Sequence, residues 1–206
     1  MLLADAFFQL AHSDVNGRAR LNARVLSLGL AAALLGELVS LRQIDIDHEV
    51  RVLHGEAPRD ALAHTVLAEL MAEPRPLPVR TWLAYLSDQA HSRVADRLTR
   101  AGKLTPQRPR VLSRAVVYVP TDMNAAAVPR ALLSQKLRRG LELEYDDVCL
   151  GGLVVATGLD VSLLDGAEPV AFDRLRWAVA RLWRPMLRLV DHTQAAVGDA
   201  VLSHRT

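Results

Sequence analysis

The run Val25–Leu41, VLSLGLAAALLGELVSL, decides the fold. Alanine, leucine and glycine occupy most of its positions, so the helix is apolar on every side, and such a helix belongs in an interior. Its charge-free core, Val25 to Gly36, is 12 residues long, whereas a helix crossing lipid needs about 20. The segment therefore reads as the core of a domain and not as a membrane span. Just upstream, an apolar helix from Leu2 to His12 stops at an Asp-Val-Asn-Gly turn, Asp14 to Gly17. A link bearing Arg18, Arg20 and Arg24 then leads into the central helix and gives its N-terminal end a basic rim.

Downstream, Gln43–Asp47 alternates apolar and polar residues, and Arg51–Leu53 supplies a second short strand, which makes a hairpin. A helix follows from Asp60, a good N-cap, to Ala72, and the prolines of Glu73–Pro78 stop it. Two helical segments are expected at Val79–Ser87 and His91–Ala101, the second closed by Gly102. Arg110–Leu112 and Ala115–Val119 enclose Ser113-Arg114 as a second hairpin, bounded by Pro109 and Pro120. Helices at Val128–Arg139, Glu142–Thr157, Val170–Leu182 and Pro185–Leu202 complete the chain. No repeat or linker divides it, so residues 1–206 read as a single compact, mainly α domain with two β-hairpins.

At 206 residues with 50% hydrophobic residues the chain can bury a sizeable core. Its one cysteine, Cys149, lies in an apolar run and excludes an intrachain disulfide, which fits a reducing, cytoplasmic setting. No basic region precedes the first apolar stretch, so a signal peptide is not expected. The net charge is only +2, but it is unevenly spread. Glu37 to Glu73 carries eight acids against three arginines, while Asp88 to Arg114 carries seven basic residues against Asp88 and Asp96. The basic residues are almost all arginine, which suits bidentate recognition of phosphate or carboxylate, although a GC-rich genome would give the same bias.

Catalytic signals are weak. Asp45, Asp47, His48 and Glu49 are the densest group of metal-ligand types, but the alternation that buries Ile44 and Ile46 turns Asp45 and Asp47 to solvent. The seven histidines lack the spacing of zinc sites, and there is no G-x-S-x-G, P-loop or G-x-G-x-x-G. Neither a metal nor a cofactor is expected. Gly151-Gly152, within an apolar helix, suggests close helix packing. Trp177 and Trp183 alternate with Arg174, Arg176, Arg181, Arg184 and Arg188, and the plainer reading puts Trp177 inside and the arginines outside.

The acidic-apolar first helix, the D-x-x-G turn, the arginine-bearing link and the L-x-L-A-A-A-L-L-G-E-L helix running into a strand resemble the opening of the Golgi phosphoprotein 3 family, which has a bacterial branch of about this length. RLTRAGKLTPQRPRVL, with its Gly-centred break and a hairpin closed by Pro120, follows in the family's order, as does DDVCLGGLVVATGLDVSLL from Asp146 to Leu164. The resemblance covers nearly the whole chain through order and pattern. It implies a shallow pocket for the headgroup of phosphatidylinositol 4-phosphate, between the link before the second helix and the helix before the second hairpin. The family's pocket tryptophan falls at Asn22 and its nearby arginine at Ala31, while its two helix arginines fall at Asp88 and His91. None of the four is retained, so little selectivity for that lipid is expected, and Arg18, Arg20, Arg24 and Arg93 are the candidates for another anion pocket. The apolar pair that the family inserts into the bilayer falls at Leu112-Ser113, followed by Arg114.

The function expected is a non-enzymatic peripheral membrane or adaptor protein on the inner face of the membrane, binding acidic phospholipid headgroups through a basic face that includes Arg97 and Arg100. Family members also bind basic tails of membrane enzymes, for which Asp45 to Glu56 is the candidate docking face. The apolar strand around Val117 and Val119 is expected to meet either a second subunit or the membrane. The rival is a winged-helix DNA binder that reads DNA with Ser92–Arg100 and uses the second hairpin as its wing.

Overall fold

The computed structural model describes residues 1–107 and 116–203. Helix α1 (Leu3–Ala11) and the turn after it lead into α2 (Ala23–Ser40), about which the rest is arranged. From Val25 to Val39 every α2 residue but Ser27 is buried, and α2 packs against α1, α3, α4, α6 and α9. It is the one helix among the described residues long and apolar enough to cross a membrane; here it is the centre of the core, as its pattern predicts. Strands β1 (Ile44–Ile46) and β2 (Glu49–Val52) form the first hairpin, with Ile44 opposite Val52. Two residues of the proline-rich stretch, Leu77 and Pro78, add a third strand, β3, beside β2 that the sequence reading did not foresee. Helix α3 (Ala61–Ala72) is capped by the Asp60 carboxylate, which accepts from the Ala63 amide at 2.9 Å.

The two helices expected between Val79 and Ala101 are one, α4 (Val79–Arg100). Asp88, Gln89 and Ala90 contain no glycine or proline to break it, and the hydroxyl of Ser87 bonds back to the Ala84 carbonyl. Gly102 (φ +70°) turns the chain straight into β4 (Leu104–Gln107), which pairs with β5 (Val117–Pro120) from Leu104 opposite Pro120 to Gln107 opposite Val117. The first strand of this hairpin thus begins six residues before the expected Arg110. Leu112 and Arg114 lie outside the described residues.

Helix α5 (Met123–Arg139) starts five residues earlier than expected, because Asp122 caps it by accepting from the amides of Asn124 and Ala125. Glu144 and Asp147 form a reciprocal capping box on α6 (Tyr145–Thr157), so these acids hold a helix end. The short α7 (Asp160–Leu163), α8 (Pro169–Val179) and α9 (Arg184–Ser203) follow. A Cβ at Gly151 would meet Leu175 Cδ1 at 2.6 Å and one at Gly152 would meet Val190 Cγ2 at 2.7 Å, so the glycine pair does let α8 and α9 approach α6 closely.

Candidate headgroup-binding face

The link from α1 to α2 is a tied loop. Ser13 and Arg18 bond through the backbone at 2.8 Å, Arg20 donates its amide to the Ala11 carbonyl, and the Asn16 side chain accepts from the Arg18 amide. Gly17 takes φ +66° there, and a Cβ on it would fall 2.0 Å from the Tyr118 carbonyl oxygen. The turn is therefore pressed against β5, which only glycine permits. Arg18 projects from this loop, exposed and without an ion pair among the described residues. Arg20 donates to the His12 carbonyl and to Asp14, and Arg24 donates to Ser87 Oγ at 3.1 Å and lies 3.9 Å from Asp88.

Two clefts flank the first turn of α2, and Ala23 and Ser27 line both. One holds Asn22, Arg24, Asp88 and the ion pair Arg80–Asp199. The other, of about 420 Å³, holds His12, Arg18, His91, Val117 and Tyr118. Asn22 is an N-cap whose side chain accepts from the Val25 amide, and Ala31 is wholly buried. The His91 ring faces Phe8, Tyr118 and His12, the two Nε2 atoms 3.3 Å apart. His12 Nδ1 is 2.7 Å from the Phe8 carbonyl, and burial holds its pKa down to about 4; burial lowers that of His91 as well. Asn22 and Asp88 thus line one cleft and His91 the other, and none of the three brings the positive charge of the arginines in the set that the resemblance implied.

The expected union of Arg18, Arg20 and Arg24 with Arg93, Arg97 and Arg100 does not form. Arg93 and Arg97 lie on a face of α4 that turns toward α3 and the core, whereas Arg100 is exposed. Arg93 pairs with Glu69 at 2.8 Å and with Gln89. Arg97 is only 9% exposed, and its guanidinium makes four hydrogen bonds to three carboxylates. It meets Glu37 bidentately at 2.9 and 3.0 Å, Asp5 at 2.8 Å and Asp60 at 2.9 Å. Burial opposes the Arg97 charge, but the Glu37 bonds and the three carboxylates outweigh it and hold its pKa above the ordinary value. Burial also raises Asp5 and Glu37 against the pull of Arg97. Among the described residues, Arg100 donates only to the Asp96 carbonyl of its own helix. A DNA-reading helix would need Arg93 and Arg97 free, so the winged-helix reading loses its contacts. The visible hint was an acid in each of two apolar helices, Asp5 and Glu37, since such groups are buried only with a partner.

Val117 and Val119 are half-buried, and Tyr118 packs against the core, so the apolar strand is partly covered by its own chain. Trp177 corrects another expectation. It is 62% exposed, because Ala171, Leu175 and Val179, at helical spacing, take the inner face of α8. The Arg181 guanidinium stacks on it at 3.4 Å. With Leu141, Tyr145 and Val170, Trp177 lines an apolar groove of about 690 Å³. The Tyr145 side chain also lies beside Ser40, the last residue of α2, which places the groove at the end of α2 opposite Arg18. Cys149 is buried, its thiol pushed up to about 11 by desolvation, which leaves it a poor nucleophile. Among the described residues no three His, Cys, Asp or Glu side chains gather as metal ligands, and Asp47 faces Arg184 and Arg188.

The family model for Golgi phosphoprotein 3 (GPP34) matches residues 3–202 of this sequence. The chain belongs to the Golgi phosphoprotein 3 family. No curated protein matches it. This Golgi phosphoprotein 3 family member has the mainly α fold with two small antiparallel sheets that the resemblance implied, while Asn22, Ala31, Asp88 and His91 occupy the positions discussed above. What the sequence reading missed is a third basic concavity, at Arg130, Arg138 and Arg139 on α5.

Proposed function

We propose that this chain is a non-enzymatic peripheral membrane protein of adaptor type that binds acidic phospholipid headgroups at the cytoplasmic face of a membrane. The observation that carries the reading is Arg18: an exposed guanidinium without an ion pair among the described residues, held on a tied loop at the mouth of a cleft and flanked by Arg20 and Arg24. Headgroup phosphates are met by N–H donors of this kind, which Arg18 offers without a competing carboxylate among the described residues. Membership of a family of adaptors supports it at the coarser level. Asn22, Ala31, Asp88 and His91 supply neither the tryptophan nor the arginines of the family's pocket, so the binding is to acidic lipids in general. Basic tails of membrane proteins would meet Asp45, Glu49 and Glu56 on the first hairpin and the loop after it, where Asp47 is already taken by Arg184 and Arg188.

Co-sedimentation with phosphatidylcholine vesicles, with and without phosphatidylglycerol, tests the reading. Binding is expected only to the anionic vesicles, weakening as salt rises and in the double variant R18Q/R24Q. No sedimentation at low salt would overturn it, and tight sequence-selective DNA binding at the same salt would replace it.

A further inference from the structure

On the outer side of α5 lies a cavity of about 600 Å³ lined by Arg130, Ser134, Arg138 and Arg139 of α5 and by Ser162 and Asp165 from α7 and the turn after it. Its three arginines form no ion pair among the described residues. Two of them are held by neutral acceptors: Arg130 Nη2 donates to the Ser162 carbonyl and Arg138 Nη2 to the Asp165 carbonyl at 2.6 Å. Ser134 Oγ accepts from Arg138 Nε at 3.1 Å and donates to the Leu163 carbonyl. A carbonyl fixes a guanidinium without cancelling its charge, so the forks are oriented in advance and remain positive. Arg130 Nη1 is shielded and has no hydrogen-bond partner among the described residues, leaving a donor that a small rotation of the fork would offer to the cavity. Burial, with repulsion from Arg20 and Arg138, holds the Arg130 pKa below its ordinary value, while Asp14 and Asp165 oppose this. Asp14 is itself paired with Arg20, and Asp165 is the one carboxylate among the residues that line the cavity, so against three guanidinium groups the local charge stays net positive.

We propose that this cavity is a binding site for a phosphate group, with Arg130, Arg138 and Arg139 as its donors, the first two aimed by Ser162 and Ser134. Three forked cations suit the several acceptor oxygens of a phosphate, and the space exceeds a bare phosphate, so the group arrives on a carrier. The site is separate from Arg18 and does not depend on the headgroup reading. The carrier is either a lipid with a terminal phosphate or a soluble phosphorylated compound.

Thermal unfolding in inorganic phosphate, against chloride at matched ionic strength, reads the site directly. The wild type is expected to gain melting temperature in phosphate, and the double variant R138Q/R139Q, whose side chains are exposed and whose fold circular dichroism checks, is expected to lose that gain. R130Q is the second variant, expected to reduce the gain likewise. An equal gain in wild type and R138Q/R139Q, or none in either, overturns the proposal. Phosphatidylcholine vesicles containing phosphatidic acid then separate the carriers. A tenfold loss of vesicle binding in R138Q/R139Q but not R18Q/R24Q identifies a lipid, whereas unchanged vesicle binding with a lost phosphate effect identifies a soluble carrier. Failure of all vesicle binding by the wild type removes the headgroup reading and leaves the phosphate test standing.

Discussion

Arg97 joins four helices through Asp5 on α1, Glu37 on α2, the Asp60 cap of α3 and its own α4. Replacing it with methionine would strand three carboxylates, and breaking a buried pair in this way typically costs about 3–5 kcal/mol. R97M is expected to lose stability of that order in urea at neutral pH, while R100M, an exposed change, stays within about 0.5 kcal/mol. His12 gives a pH dependence of known sign. Its folded pKa, about 4, lies below the unfolded 6.5, so the unfolded chain takes up the proton first. The His12 contribution is complete above about pH 6.5 and disappears as pH falls toward 4, roughly 3 kcal/mol in all. Asp5 and Glu37, both raised, slope the other way at the acid end. The comparison of wild type with H12Q isolates the histidine: the variant should lose less stability between pH 7 and pH 5, and equal losses would show that His12 does not carry this slope. The Asp60 cap and the buried Cys149 were legible from neighbours in sequence. Arg97 was not, since its partners lie 92, 60 and 37 residues away and a helix alone does not say which of its faces turns inward.

The elements themselves were legible wherever a local signal is strong. The apolar α2, the alternating β1, the Asp60 start of α3 and the Gly102 stop of α4 all follow from neighbouring residues. The start of β4 was not, because the prolines of TPQRP argue against a strand and only pairing with β5 makes one. Trp177 is exposed because the choice of inner face rests with Ala171, Leu175 and Val179, which a mixed Arg-Trp pattern hides. Contact between the 13–17 turn and β5 yields a test of the hairpin. G17A combines a disfavoured φ with a collision at Tyr118, so it is expected to lower the melting temperature and to raise amide exchange in β5. V117E/V119E probes the outer coverage of the same strand. Loss of an oligomer with vesicle binding intact indicates a subunit interface, and loss of vesicle binding from a monomer indicates membrane contact. If both properties persist with the fold unchanged, the cover provided by the chain itself is sufficient.

At the scale of the whole molecule, the charge map differs from what a count of arginines suggests, since Arg20, Arg24, Arg93 and Arg97 all face carboxylates. At the headgroup-binding face, Arg18 is the guanidinium left without a carboxylate among the described residues. Vesicle binding should therefore be weak and steeply reduced once the Debye length falls below about 8 Å. Adding phosphatidylinositol 4-phosphate in place of phosphatidylglycerol at equal charge should change the affinity less than tenfold; a larger preference would mean that the pocket is rebuilt from residues other than those at the family positions. Restoring tryptophan at Asn22 and arginine at Asp88 and His91 should increase the preference.

The 18 residues of α2 span about 27 Å, with Arg18 near one end and the Trp177 groove at the other. The helix is thus a spacer nearly as long as the hydrocarbon layer of a bilayer is thick, and Trp177 serves as a compass needle for the orientation of the domain. A domain standing upright on its Arg18 end holds that indole in water, so the emission lost in W177F should keep its wavelength when vesicles are added. A blue shift would mean that the domain lies on its side, with the groove against the lipid.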